Sequence, residues 1–282
     1  MTAVAWLRGI GIRGPGLAGW SATADILSGR VAYVDTRTAI VAPTQLPPAE
    51  RRRVGKGVKI ALEAGFEAVA HAAMDASMLP SVFTSSSGDG DNCDAICRAL
   101  ADDRLISPTR FHKSVHNAPS GYWGIASGSM APSTSLCAFD DSLIAGFDDA
   151  MTQLAAGADA VLLVAYDAPY PEPLHTARPT PDSFGVAFVL AREPGPTPLA
   201  RIEMDLPSRA ATVPSTGMTD PAIERYRTAI PSARALPLLA CIAIGDERDV
   251  LLEDARGMML SLRVTRCNTT RSEPPTRTVQ CA

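Results

Sequence analysis

The segment from Ala131 to Ala165 constrains the fold more tightly than any other part of the chain. Ala131-Pro-Ser-Thr-Ser-Leu-Cys-Ala-Phe-Asp-Asp-Ser142 reads as a strand, a sharp turn and the start of a helix. From there Leu143, Ile144, Phe147, Ala150, Met151 and Leu154 recur at the offsets of one helix face. Gly157 predicts the stop, and Ala160 to Ala165 reads as a buried strand. Asp140 stands at the helix start, where the macrodipole favours a negative group. As an N-cap it would contribute about 0.5–2 kcal/mol, and this is the expected role, with Asp141 a first-turn acid. The alternative is a carboxylate that fills a pocket or meets a partner.

Ala-rich helices and Val/Ile-rich strands alternate through the 282 residues, which predicts an α/β architecture with ample material for a core. A net charge of −4 argues against nucleic acid as a partner. No apolar run reaches the length of a membrane span, and Met1 to Arg8 lacks the pattern of a signal peptide. A cytoplasmic protein is the expectation. The six cysteines (Cys93, Cys97, Cys137, Cys241, Cys267, Cys281) follow no zinc-ligand spacing. Cys93 and Cys97, four apart, would need further ligands, so ordinary thiols and no metal are expected.

Elsewhere, Val4 to Ile12 reads as a first strand closed by Arg13-Gly-Pro-Gly. Pro47 opens a long helix to about Met74, with Val54, Val58, Ala61 and Leu62 on one face. Ser81 to Ser85 is a short strand that leads into Ser86-Ser-Gly-Asp-Gly-Asp-Asn92, followed by a helix to Ala101. That turn has acidic spacing without the terminal Glu of a calcium loop, so a turn with a helix cap is expected. Its backbone N–H groups could cradle an anion, although no Lys-Ser/Thr follows as in a P-loop. Phe111 to Ser127 is an aromatic-rich helical stretch, and Ser183 to Ala191 a strand, antiparallel or at an edge. Ala200 to Leu206 and Gly257 to Val264 are strand candidates, with Ala222 to Thr228 and Leu236 to Ile244 as weaker elements. The Pro/Thr-rich end from Cys267 is expected to be disordered.

Several segments agree in order: Leu46 to Arg53, Thr84 to Asn92, Phe111 to Ser127, Ser135 to Ser142, and the Ala156-Gly-Ala-Asp-Ala160 run. Together they resemble the β-ketoacyl synthases, and within these the chain length factors of the type found in aryl polyene biosynthesis. The resemblance implies the thiolase-like fold, a layered α/β arrangement of two halves. It covers residues 1–195 as the N-terminal domain, leaves 196–264 as a reduced C-terminal part, and 265–282 as a tail. In those enzymes a reactive cysteine occupies the helix N-terminus. Counting forward from Pro132 or back from Gly157 puts that position on Asp140. The family's two catalytic histidines belong to the second half, whereas His71, His112, His116 and His175 all precede residue 180.

The resemblance therefore implies a non-catalytic subunit without a cofactor. It would pair with an active ketoacyl synthase, or with itself, and meet an acyl carrier protein. Docking of that acidic protein is a secondary reading of Arg51 to Arg53, whose default is a solvated helix face. Phe111, Tyr122, Trp123 and Phe139, with His112, His116 and Asn117, would line an acyl tunnel or the dimer interface; the equal alternative for Phe111 to Trp123 is that the aromatics are core and the polar residues cap a helix start. Cys137 is the fallback nucleophile, alone or paired with His112 or His116. Lying three residues early, on the strand, it is expected to be a buried structural cysteine. Two rivals remain: an acyl-transfer or thioester-hydrolysing enzyme using Cys137, and a free-standing scaffold for acyl chains or carrier protein. Half a thiolase-type layer should also leave apolar surface uncovered, hence an obligate dimer.

Overall fold

A computed structural model describes residues 2–205, 214–254 and 256–267. The first element is the long strand β1 (Thr2–Gly14), followed by the short β2 (Leu17–Ala18) and α1 (Trp20–Leu27). An extended strap leads to α2 (Pro48–Arg53) and α3 (Lys56–His71), then to β3 (Ser81–Thr84) and α4 (Gly90–Ala101). Next come α5 (Pro108–His112), α6 (Ala118–Ser127), β4 (Ser133–Leu136), α7 (Ser142–Ala155) and β5 (Ala160–Asp167). The chain continues through α8 (Leu174–Ala177), β6 (Phe184–Ala191), β7 (Ala200–Asp205), α9 (Pro221–Ala229), α10 (Leu236–Ile244), β8 (Arg248–Glu253) and β9 (Met259–Arg266).

The nine strands of the described residues join one sheet in the order β4-β3-β5-β6-β1-β7-β9-β8, with β2 beside β1. β4, β3 and β5 run parallel, and every pairing beyond β5 is antiparallel. The strand expected over 183–191 is antiparallel and central, because β5 and β1 flank it on both sides. Both faces of β5 and β6 are covered, which explains their unbroken apolar runs. The period of two divides them cleanly. Leu162 and Val164 face the layer formed by α3 and α6, while Val161 and Leu163 face Phe147, Met151 and Leu239 on the other side.

The helix expected from Pro47 to Met74 is two helices. Val54 and Gly55 adopt extended backbone between them, Val54 turning into the core. A Cβ on Gly55 would stand 2.6 Å from the Asp89 carboxylate, so the break lets α4 begin hard against this corner. The stretch from Phe111 likewise divides into α5 and α6. The apolar face expected to remain open is covered by the chain itself. Ile223, Ile230, Leu236, Leu238 and Leu239 close it from α9, α10 and the turn before α10. The exposed large apolar side chains include Phe111, Val115, Ile125, Met130 and Phe139, which lie away from that face in sequence. The expected tail beyond Cys267 lies outside the described residues.

The approach of α3 to β1 sets the spacing of one whole layer. A Cβ added to Gly9 would lie 2.1 Å from the Ala68 carbonyl oxygen, and one on Gly11 2.0 Å from that of Ala64. Both obstacles are helix backbone, which cannot rotate away as a side chain can. Gly11→Ala is therefore expected to lose about 3 kcal/mol of stability through overpacking. A urea melt measures this, and an unchanged midpoint would contradict the close contact.

Candidate functional site

The turn between β4 and α7 is built around Ser142. Its hydroxyl donates to the Phe139 carbonyl (2.7 Å) and accepts from the Ala138 amide (3.1 Å), closing a short helical turn over Phe139–Asp141. Phe139 takes φ +53° there, a left-handed conformation that costs a bulky residue about 1–3 kcal/mol. Asp140 is thus not the cap of α7, as the sequence led us to expect. Its carboxylate turns sideways, accepts from Arg178 and lies 3.8 Å from Arg234, while its carbonyl accepts from Arg234 at 3.0 Å. Arg178 also donates to Ser86 Oγ (2.6 Å) and stacks on the Phe139 ring, 3.7 Å from its centroid. Ser142 already closes the turn, so an acid at position 140 is free to meet the two guanidinium groups.

Beneath this elbow lies a residue the sequence reading missed. Asp167, the last residue of β5, is wholly buried. Its carboxylate accepts from the amides of Ser86 (2.9 Å), Ser87 (3.2 Å) and Ser232 (2.8 Å), and from the Ser85 hydroxyl (3.3 Å). The Ser85–Gly88 turn does cradle an anion, and that anion is the chain's own side chain. Burial pushes the Asp167 carboxyl above its ordinary range, and the bonds from Ser232, Ser86 and Ser87 pull it back. The available signal was one acidic residue ending an otherwise apolar strand, Ala-Val-Leu-Leu-Val-Ala-Tyr-Asp. Buried carboxylates need such partners.

The residues expected at a tunnel or interface divide among three places. Phe111, His112, Asn117 and Tyr122 line one open cleft of about 1090 Å³ between α2, α5 and α6. Trp123 does not: it is buried against Phe66 and Phe83, with ring centroids 4.5 and 6.1 Å away. Its position one residue after Tyr122 turns it to the core side of α6. His116 reaches the Ser85 carbonyl (3.4 Å), and Phe139 sits on the elbow. Cys137 is exposed and beyond the end of β4, contrary to the buried strand position expected, because β4 stops at Leu136. Its sulfur approaches the Ser86 carbonyl at 4.0 Å, so Cys137 and His116 meet the same turn while His112 lies in the cleft. Asp89 caps α4 through the Asn92 amide (3.1 Å), as the turn predicted. Among the described residues no group of three or more His, Cys, Asp and Glu could hold a metal, and no helix is long and apolar enough to cross a membrane.

Residues 20–234 match the family described as β-ketoacyl synthase, N-terminal domain. The chain belongs to that family. No curated protein sequence matches it. Its fold is similar to that of the ketosynthase (ApeO) in complex with its chain length factor (ApeC) from Xenorhabdus doucetiae. The TM-score is 0.71 at 20% identity, covering 92% of this chain and 99% of that one. It is also similar to AntDE:AntF, a type II PKS acyl-carrier protein in complex with its ketosynthase, with TM-score 0.71, 13% identity, and 95% and 100% coverage. Against the ketosynthase from module 6 of the bacillaene synthase from Bacillus subtilis 168, the TM-score is 0.56 at 14% identity. That match takes in 80% of this chain and only 44% of the other. The thiolase-like layered fold expected from the resemblance is therefore present, at about half the size of that ketosynthase.

Two outcomes follow from the site geometry. Iodoacetamide on the native protein should modify Cys93, Cys97 and Cys137, all exposed, and spare the buried Cys241, as read by peptide mass spectrometry. Protection of Cys137 would refute its placement. Asp167→Asn should cost ~3 kcal/mol in chemical unfolding, since its amide NH₂ would face backbone donors in a dry site.

Proposed function

We propose that this chain is a non-catalytic, cytoplasmic subunit of the chain-length-factor kind. It pairs with an active β-ketoacyl synthase and supplies part of the wall that limits growth in a polyene, polyketide or fatty-acid-type elongation. The observation that carries this reading is the state of the position where the family's nucleophile falls. Asp140 stands there with its carboxylate engaged by Arg178 and Arg234. A carboxylate held between two cations is a poor nucleophile, and the anhydride it would form is far less stable than a thioester. The histidines do not replace the family's pair. His71 bonds the Ile10 amide, His112 lines the cleft, His116 meets the Ser85 carbonyl, and His175 lies on α8.

The partner synthase provides the thiolate and the groups that stabilise the enolate oxygen, and an acyl carrier protein delivers the chains. Two features support a partner surface beside the cleft. Among the described residues β4 is one of the sheet's two edge strands, hydrogen-bonded on one side only, and α6 packs on it through the Ser120–Ser135 hydroxyl pair (3.2 Å). Val115, Ile125 and Met130 are exposed in the same stretch of chain. Exposed apolar groups next to an open strand edge favour association.

A second reading, acyl transfer on Cys137, draws support from the exposure of that thiol. Cys137→Ala separates the two. Full function of this variant in a reconstituted elongation system removes the acyl-transfer reading. Co-expression with a candidate synthase should give a complex on size-exclusion chromatography, and Ile125→Asp should weaken it about tenfold or more by burying an unpaired charge. No complex with any synthase of the same biosynthetic system would sink the proposal.

A further inference from the structure

The cleft between α2, α5 and α6 is apolar along one wall and cationic at one end. Phe111, Val115, Ala118, Tyr122 and Ile125 form the apolar part. Arg53, Thr109 and Lys113 are shared with an adjoining polar recess of about 360 Å³, which adds Ser107, Asn92 and Arg110 and also the carboxylates of Asp89 and Asp91. The carboxylates nearby are largely committed. Asp91 pairs with Lys56 (2.9 Å), Asp89 caps α4, and Glu50 divides between the Tyr122 hydroxyl (3.2 Å) and a long contact to Arg53 (3.5 Å). Among the described residues Arg110 has no side-chain ion pair, and the Lys113 ammonium donates to a backbone carbonyl, that of Arg53 (2.7 Å). Burial lowers the Lys113 pKa, and the flanking Arg53 and Arg110 lower it further while Glu50 and Asp89 oppose them. Two cations without a carboxylate contact among the described residues, Arg110 and Lys113, with Arg53 beside them, favour an anion there.

We infer that this cleft binds an elongated apolar molecule with an acidic end group, its tail along Phe111, Val115 and Ile125 and its anion at Arg53, Arg110 and Lys113. The volume is ample for a small-molecule site lined mostly by apolar groups with a few polar ones that fix orientation. The inference rests on the reading that the cleft takes an acyl chain, and it adds the selection of one end by charge.

The test is a titration of the full chain with parinaric acid and with its methyl ester, followed by fluorescence. The acid should bind about tenfold tighter or more, the gain of a charge-assisted contact. Lys113→Gln and Arg110→Gln should each bring the acid toward the ester's affinity and leave the ester unchanged, whereas Lys113→Arg keeps the preference. Arg110→Gln breaks no side-chain ion pair or hydrogen bond among the described residues, so it answers the question even where the Lys113 variant is unstable. Gly121→Leu, at a position where an added Cβ meets nothing within 4 Å, should fill the cleft and weaken both probes. Equal binding of acid and ester by the unaltered protein, or a preference that survives both glutamine variants, overturns the charge selection alone. If neither probe binds, or Gly121→Leu changes nothing, the acyl-chain reading of the cleft falls with it.

Discussion

One buried carboxylate ties together the parts from which the site is made. Asp167 ends β5, and its oxygens hold the turn after β3 and the turn before α10. These segments are distant in sequence, at residues 85–88 and 231–235. Every donor aimed at Asp167 is a backbone amide or a serine hydroxyl, groups that would otherwise be unpaired inside the protein. The Ser85–Gly88 turn then serves as a platform. Cys137 and His116 reach its carbonyls, and Arg178 reaches its Ser86 hydroxyl. The elbow around Asp140 is positioned second-hand, through Arg178, on a turn that Asp167 fixes.

Much of the sheet was legible in the sequence because period and punctuation agree there. β5, α7 and Gly157 fall where apolar spacing puts them, and Gly157 takes the positive φ (+112°) that ends the helix. The break at Val54–Gly55 was not legible. Its cause is the contact of Gly55 with Asp89 more than thirty residues away, which no local pattern announces. β8 was missed for a related reason: Arg248-Asp-Val-Leu-Leu-Glu has charged ends and little alternation, and pairing with β9 makes it a strand.

For the candidate site, the sequence singled out residues and not their contacts. Counting along the chain found Asp140, and the family match over residues 20–234 agrees with the resemblance that prompted the count. Its partners Arg178 and Arg234 lie thirty-eight and ninety-four residues away, so the ion pairs could not be read from spacing. The N-cap expectation failed because the short helical turn over Phe139–Asp141 puts Asp141 at the N-cap position of α7 and turns the Asp140 carboxylate to Arg178. Trp123 shows the opposite error. An aromatic beside Tyr122 suggests a shared wall, yet adjacent helix positions point about 100° apart and only one of them faces the cleft.

The strand pairings of β1 carry a practical consequence for anyone shortening this protein. A boundary near residue 195, natural from sequence likeness, would remove β7, whose residues 200–205 pair with residues 2–7 of β1. What remained would leave β1 as an unsatisfied edge strand and strip away the α9 and α10 side chains that share a core cluster with Phe188 and Leu190. Such a fragment invites strand exchange between copies, so its assembly state would report on the cut and not on the intact chain.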